Sequence, residues 1–394
     1  MNRWLIGAIV VALGAVSAGA QSLDDLNIQI HGYATQGFLY STQNNIFTTN
    51  SSEGSPAWTE GVANLNAQPE PKLRIGAQGR YFLLGNYGNS ITLDWAVGDY
   101  KVNEWLGIRV GKVKTPSGLF NETQDVDPVH VWSLLPQAIY PIGSRTTLLA
   151  HYGGVVYGTV KPVQQLGKFD YRIFGGLRAV PSGDGILLAP TEAGYSYPNG
   201  TQGALYGLSL RWHTALPGLM LGASDLLTDQ HANITYTGTA VDKACADTCK
   251  ASYIVPKFES QYIFAQYERN KLMVAGEFYH IDTFRKIQFP NGVLIIDETQ
   301  KRHSWYGMAT YKLTEKLSAG IYNSNQLNSA VPLGPARYQK DWTLSGRYDF
   351  SSYLYAKAEE HFIDGTVSGY DSATNPSGLK PDTRLTAFKL GVSF

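Results

Sequence analysis

The sequence predicts an all-β chain closed as a transmembrane, antiparallel, up-and-down β-barrel of about 16 strands, and three observations carry that expectation. Segments of about ten residues alternate apolar with polar or small side chains along most of the chain. The connections between them are alternately short and long. The chain also ends in such a segment, Arg384 to Phe394, with Thr386, Phe388, Leu390, Val392 and Phe394 on one face and Leu385, Ala387, Lys389, Gly391 and Ser393 on the other. One face suits lipid and the other suits water; a soluble sandwich can also end in an amphipathic strand, so the rest of the chain has to repeat the pattern.

At the N-terminus, Arg3 precedes an apolar run from Leu5 to Val16 and then Ser17-Ala18-Gly19-Ala20, the pattern of a secretory leader occupying residues 1–20. The run is too short for a helical span. Removal of the leader leaves 394 − 20 = 374 residues, 21–394, read as one barrel domain. Forty-one glycines, 25 tyrosines and eight tryptophans suit tight turns, short strands and aromatic girdles, and two cysteines exclude a disulfide-dense scaffold. Basic and acidic residues balance at 32 each, so nothing points to nucleic acid as a partner. Alternation also explains the slightly polar mean hydropathy. On composition alone a long secreted sandwich protein remains compatible.

Short connections are predicted at 68–71, 101–104, 161–167, 214–217, 269–270, 314–315 and 351–352, and long polar ones at 41–56, 115–147, 180–201, 227–256, 283–301, 325–338 and 364–382. Residues 84–89 form a short exception among the long loops. The strands between them are 28–40, 57–67, 72–83, 90–101, 105–114, 148–160, 168–178, 202–213, 218–226, 257–268, 271–282, 302–313, 316–324, 339–349, 353–363 and 383–394. An even number places both termini at the periplasmic side, and a barrel of this size without a plug domain encloses water.

A charge facing lipid near mid-bilayer costs about 2–4 kcal/mol, so charged residues in strands are assigned to the interior. Alternation places Arg74, Gln78, Arg80, Asp94, Arg109, Asp170, Arg172, Arg178, Arg211, Glu277, Arg347, Asp349, Lys357, Glu359 and Lys389 on the inner wall. Basic residues outnumber acidic ones there, an expected weak preference for anions. Most of these charges are expected to pair and hold the wall to a loop. Glu360 breaks the alternation and is expected near a rim or beside a bulge.

Three stretches carry a family likeness. The run Ile108 to Val126 reads Ile-Arg-Val-Gly-Lys-Val-Lys-Thr-Pro-Ser-Gly-Leu-Phe-Asn-Glu-Thr-Gln-Asp-Val, and Ser133 to Tyr140 and Ile28 to Gly37 accompany it. Together with the terminal Phe394 they resemble Gram-negative outer-membrane porins distantly akin to the phosphate-selective porin family. The resemblance implies a cell outer-membrane location, surrounding lipid, a homotrimer, no cofactor, and passive diffusion of small hydrophilic solutes or ions. It further implies that loop 115–147 folds into the barrel and narrows it. Pro116 and Gly118 break the strand, Leu119, Phe120 and 131–135 supply an apolar side, and Asn121, Glu122, Gln124, Asp125 and Asp127 then line the constriction. Gln124 stands where the family often has arginine, so a cation at that point is in doubt.

Cys245 and Cys249 are expected to form a small local disulfide in an oxidising exterior. The eight histidines are scattered and show no metal-ligand spacing, and no catalytic motif is present, so neither a metal nor a catalytic set is assigned. Two rivals to the channel stay open: a surface enzyme with side chains such as His280 or His303 at the rim, and a binding or adhesion protein acting through its long loops.

Overall fold

The computed structural model describes residues 26–187, 191, 194–236, 249–288 and 294–394. The expected leader, Cys245 and the turn centred on Pro290-Asn291-Gly292 lie outside them. Sixteen long strands are present among the described residues: β1 Gln29–Ser41, β2 Ser55–Glu70, β3 Leu73–Leu84, β4 Asn89–Lys101, β5 Gly107–Lys114, β6 Ala150–Val160, β7 Lys168–Val180, β8 Thr201–His213, β9 Leu219–Tyr236, β10 Cys249–Arg269, β11 Leu272–Gln288, β12 Leu294–Lys312, β13 Leu317–Asn328, β14 Tyr338–Asp349, β15 Leu354–Gly365 and β16 Asp382–Ser393. A two-residue strand, Tyr195–Ser196, adds to the far end of β9.

Each strand pairs antiparallel with its sequence neighbour, and β1 pairs with β16 from Tyr33 opposite Ser393 to Ser41 opposite Leu385. Backbone bonds of 3.0 Å in each direction between Gly32 and Phe394 complete the seam. Closure leaves no sheet edge to be satisfied by lipid, which cannot hydrogen-bond.

Alternation sorts the faces as expected. On β16, Phe388, Leu390 and Val392 are exposed to the outside while Leu385, Ala387 and Lys389 are buried within. Ile173 and Leu177 on β7 and Trp342 and Leu344 on β14 likewise point outward. A bulge in β4 is invisible to simple alternation: Gln78 pairs with Trp95 and Gly79 with Leu93, so the extra residue, Asp94, turns into the barrel beside Trp95 and both are buried.

Two expectations need correction. The stretch read as polar loop 227–256 is largely strand, because β9 runs to Tyr236 and β10 starts at Cys249. In 283–301, β11 continues to Gln288 and β12 begins at Leu294. Polar residues on both faces erase the period-2 signal once a strand rises beyond the apolar band, so sequence reading ends such strands early. Glu360 faces outward with no bulge at its position. It accepts a 2.6 Å bond from Thr386 Oγ1 and pairs with Arg384 at 2.8 Å, two residues into β16 at the long-loop end.

Candidate pore constriction

After Lys114 the chain leaves the wall and crosses the interior as loop 115–149 before rejoining at β6. The turn inward is made at Gly118, whose φ of +63° favours glycine and whose Cβ, if present, would lie 2.4 Å from Glu277 Oε1. Asn121 braces the base of the loop by donating to the carbonyls of Thr115 (2.8 Å) and Leu148 (2.9 Å).

The loop is tied to the wall in three directions. Towards β8–β12, Glu277 accepts from Leu119 N (3.0 Å), Tyr140 Oη (2.6 Å) and Tyr306 Oη (3.0 Å), while Ser224 accepts from Gly118 N and Arg211 donates to the Gly118 carbonyl. Towards β14–β16, Asp127 is gripped by Lys357 (2.9 Å), Lys389 (2.8 Å) and the Tyr355 hydroxyl (2.8 Å). Glu359 beside them accepts the backbone amides of Ser133 (2.5 Å) and Leu134 (3.1 Å), and Arg347 donates to the carbonyls of Pro128 and His130. Towards β2–β4, Arg145 binds Glu60 and Asp94, and Arg80 joins the same Glu60 at 2.6 Å. Asp125 completes this side through Lys114 (2.7 Å) and Gln78 (2.9 Å).

Apolar packing follows the same anchors. Leu119, Phe120, Trp132, Ile139 and Tyr140 pack on Tyr262, Phe264, Tyr279, Tyr306, Met308 and Tyr322 of the inner wall. Leu134 packs on the opposite side with Leu39, Trp58, Phe82 and Leu385. Much of the lumen is therefore protein rather than water.

Electrostatics explains why these charges can be buried. Burial alone would push the Asp127 carboxyl up, but Lys357 and Lys389 outweigh it and hold the group well below the usual carboxylate range. At Arg145 burial opposes the charge, and Asp94 and Glu60 more than restore it, raising its pKa. Burial and the adjacent Glu277 push the Tyr140 hydroxyl up, so it stays a donor.

This changes the reading of the constriction residues. Asn121, Asp125 and Asp127, expected to face water, are buried because their polar atoms are used up in holding the loop. Glu122 and Gln124 remain half-buried. Of the expected wall residues, Arg80, Asp94, Glu277, Lys357, Glu359 and Lys389 face inward but are covered by the loop. Arg347 is engaged with the loop and Asp349, Arg109 pairs with Asp99 at 2.9 Å, and Arg74 bonds Asn66 at the short-turn end. The wall acid Glu60 and the loop residues Tyr140 and Arg145 are not among the sequence-predicted site residues; for Glu60, a charged residue on an inward strand position, strand alternation is the signal that could have found it.

Three arginines on neighbouring β7 and β8 are less fully paired, although Arg211 also donates to the loop carbonyls of Gly118 and Leu119. Arg172 Nε and Arg211 Nη2 approach the single carboxylate of Glu122 at 3.5 and 3.6 Å, longer than hydrogen bonds. Arg178, 4% exposed, has no carboxylate within ion-pair distance among the described residues, and its Nε, with Arg172 Nη1 and Arg211 Nε, has no hydrogen-bond partner. Arg211 also lines a cavity of about 610 Å³ at the short-turn end, with Asp170, His213, Gln266 and Glu268. There His213 and Asp170 pair at 2.8 Å. Cys249 is buried at the start of β10, and its expected partner Cys245 lies outside the described residues.

A closed barrel of 16 antiparallel strands with a long loop after the fifth strand folded inside it is the architecture of the outer-membrane porins. Comparison with solved structures agrees. OmpF of Salmonella typhi, in complex with daunomycin, matches with a TM-score of 0.57 and 12% identity over 95% of this chain and 99% of its own. OmpT, an outer membrane protein of Vibrio cholerae, matches with 0.56 and 11% over 95% and 100%. An anion-selective porin from Comamonas acidovorans matches with 0.52 and 10% over 93% and 99%. At these identities the likeness is one of fold. No protein-family model and no curated protein matches the sequence.

Proposed function

We propose that this protein is a passive outer-membrane channel for small hydrophilic solutes or ions, with a weak preference for anions. The observation that carries the reading is the division of the inner wall. Most of it is neutralised and covered by loop 115–149, whereas on the β7–β8 arc two partly open arginines, Arg172 and Arg211, share the single carboxylate of Glu122. On this reading a solute passes along this arc and by Glu122 towards the cavity of about 610 Å³ that Arg211 lines. Excess fixed positive charge in a confined, low-dielectric passage raises the local anion concentration. Glu122, a loop residue left partly open, stands against both arginines.

Passage needs no bond to be made or broken and no cofactor. A homotrimer is part of the proposal: one of the similar structures, OmpT of Vibrio cholerae, is described in a trimer form. The seven short connections fit periplasmic turns, and the long loops then face outward.

Single-channel recording of the purified protein in a planar bilayer tests the proposal. Stepwise conductance is expected, with a reversal potential in a salt gradient on the anion side. Absence of conductance steps overturns the channel, and a cation-selective reversal potential overturns the anion preference alone. In the Arg172→Gln/Arg211→Gln variant the anion-to-cation permeability ratio should fall by roughly twofold or more.

A further inference from the structure

His280 on β11 and His303 on β12 are 23 residues apart in sequence but sit directly opposite each other in the register. Both lie on the outer face, one register step above Phe278 and Trp305, where the apolar surface gives way to Asp282 and Lys301. Their rings stack at 4.6 Å with 24° between planes, and the two Nδ1 atoms are 3.1 Å apart. A separation of 3.1 Å is that of a hydrogen bond when one ring carries its proton on Nδ1, and that of two ligands on one cation when both rings carry it on Nε2. With metal–nitrogen bonds of about 2.0–2.1 Å, such a separation corresponds to an angle of about 98° at the metal, between the square-planar and tetrahedral values.

We infer that His280 and His303 form a surface site for a divalent first-row transition metal ion, Cu²⁺, Ni²⁺ or Zn²⁺, bound through both Nδ1 atoms. Imidazole nitrogen suits these ions, and Cu²⁺ binds most tightly in the series. Asp282 Oδ2 lies 3.7 Å from His280 Nε2, the place from which a carboxylate orients a ligating imidazole, and Lys301 stands 3.9 Å from the other oxygen of that carboxylate. Among the described residues no group of three or more His, Cys, Asp and Glu side chains converges on one point. The remaining coordination positions therefore go to water, which makes the site exchangeable rather than structural. Gln261 flanks the pair from β10 and Leu327 from β13, so no cationic side chain lies directly beside it on either neighbouring strand.

The full-length protein in detergent, stripped with chelator, is titrated with Cu²⁺ by calorimetry and by electron paramagnetic resonance. One tight Cu²⁺ per chain is expected, with hyperfine structure from two nitrogens. His280→Gln and His303→Gln should each weaken binding at least tenfold, and Asp282→Asn should weaken it less while keeping the two-nitrogen signal. Unchanged affinity in both histidine variants, or loss of the tight site in His213→Gln instead, overturns the assignment. Should a histidine variant fail to form the heat-modifiable barrel, the wild-type protein decides: Cu²⁺ must protect His280 and His303, and not His213, from diethylpyrocarbonate. Equal modification with and without the ion refutes the site.

Discussion

At the scale of single residues the interior is governed by a few buried charges, of which Asp127 is the most consequential. Its carboxylate neutralises two ammoniums that are themselves buried, Lys357 and Lys389. Asp127→Asn leaves both uncompensated, and breaking a buried pair in this way costs about 3–5 kcal/mol. A lower unfolding temperature and noisier conductance, read by heat-modifiability and by bilayer recording, are the expected outcomes. The pH dependence follows from the sign of the shift: because the folded carboxyl titrates below its unfolded value, its contribution is complete above the ordinary carboxylate range and is lost as pH falls through the depressed folded value. The loop should therefore stay docked through mildly acidic pH, and a channel that opens wide near pH 5 would contradict this account. Gly118→Ala combines a left-handed backbone with contact on Glu277, and about 1–3 kcal/mol of destabilisation is expected in the same melting assay.

At the scale of elements, loop 115–149 behaves as a strut rather than a flap. Side chains from β2–β4, β8–β12 and β14–β16 hold it, and its apolar residues pack against both sides of the interior. Tyr140→Phe removes the hydroxyl shared between Glu277 and the Phe120 amide and should cost about 1–3 kcal/mol by leaving buried polar groups unpaired. Excising 119–139 and joining the ends with a short glycine-rich linker should raise single-channel conductance several-fold, while the barrel still forms; unchanged conductance would place the narrowest point elsewhere. The motif from Ile108 to Asp125 made the inward turn legible in sequence, through Pro116 and Gly118. Which acids would be used internally was not legible, because Asp127 meets residues 230 and 262 positions further along the chain.

At the scale of the whole molecule, stability and insertion depend on closing the ring. The seam between β1 and β16 uses the last residues of the chain, including the reciprocal Gly32 and Phe394 bonds. Deleting Ser393 and Phe394 should reduce the fraction of heat-modifiable barrel recovered from membranes, since an unsatisfied edge in lipid is costly. The terminal strand is also where Lys389 finds its place: its ammonium lies 4.1 Å from the Trp58 ring centre and bridges Asp127 and the Ser133 carbonyl. It is part of the loop anchorage rather than of a solute path.

What the sequence determined by itself was the barrel: period-2 alternation, the rhythm of short and long connections and the faces of nearly every strand all follow from local chemistry against lipid and water. Tertiary structure alone decided how the interior is divided. Strand partners and loop contacts lie far apart in sequence, so whether an inward charge meets a counter-charge depends on barrel register and on the path of one loop. Lys357 and Arg178 look alike in the sequence, each a basic residue on an inward position. The path of the loop brings Asp127 to the first, while no carboxylate among the described residues comes within ion-pair distance of the second.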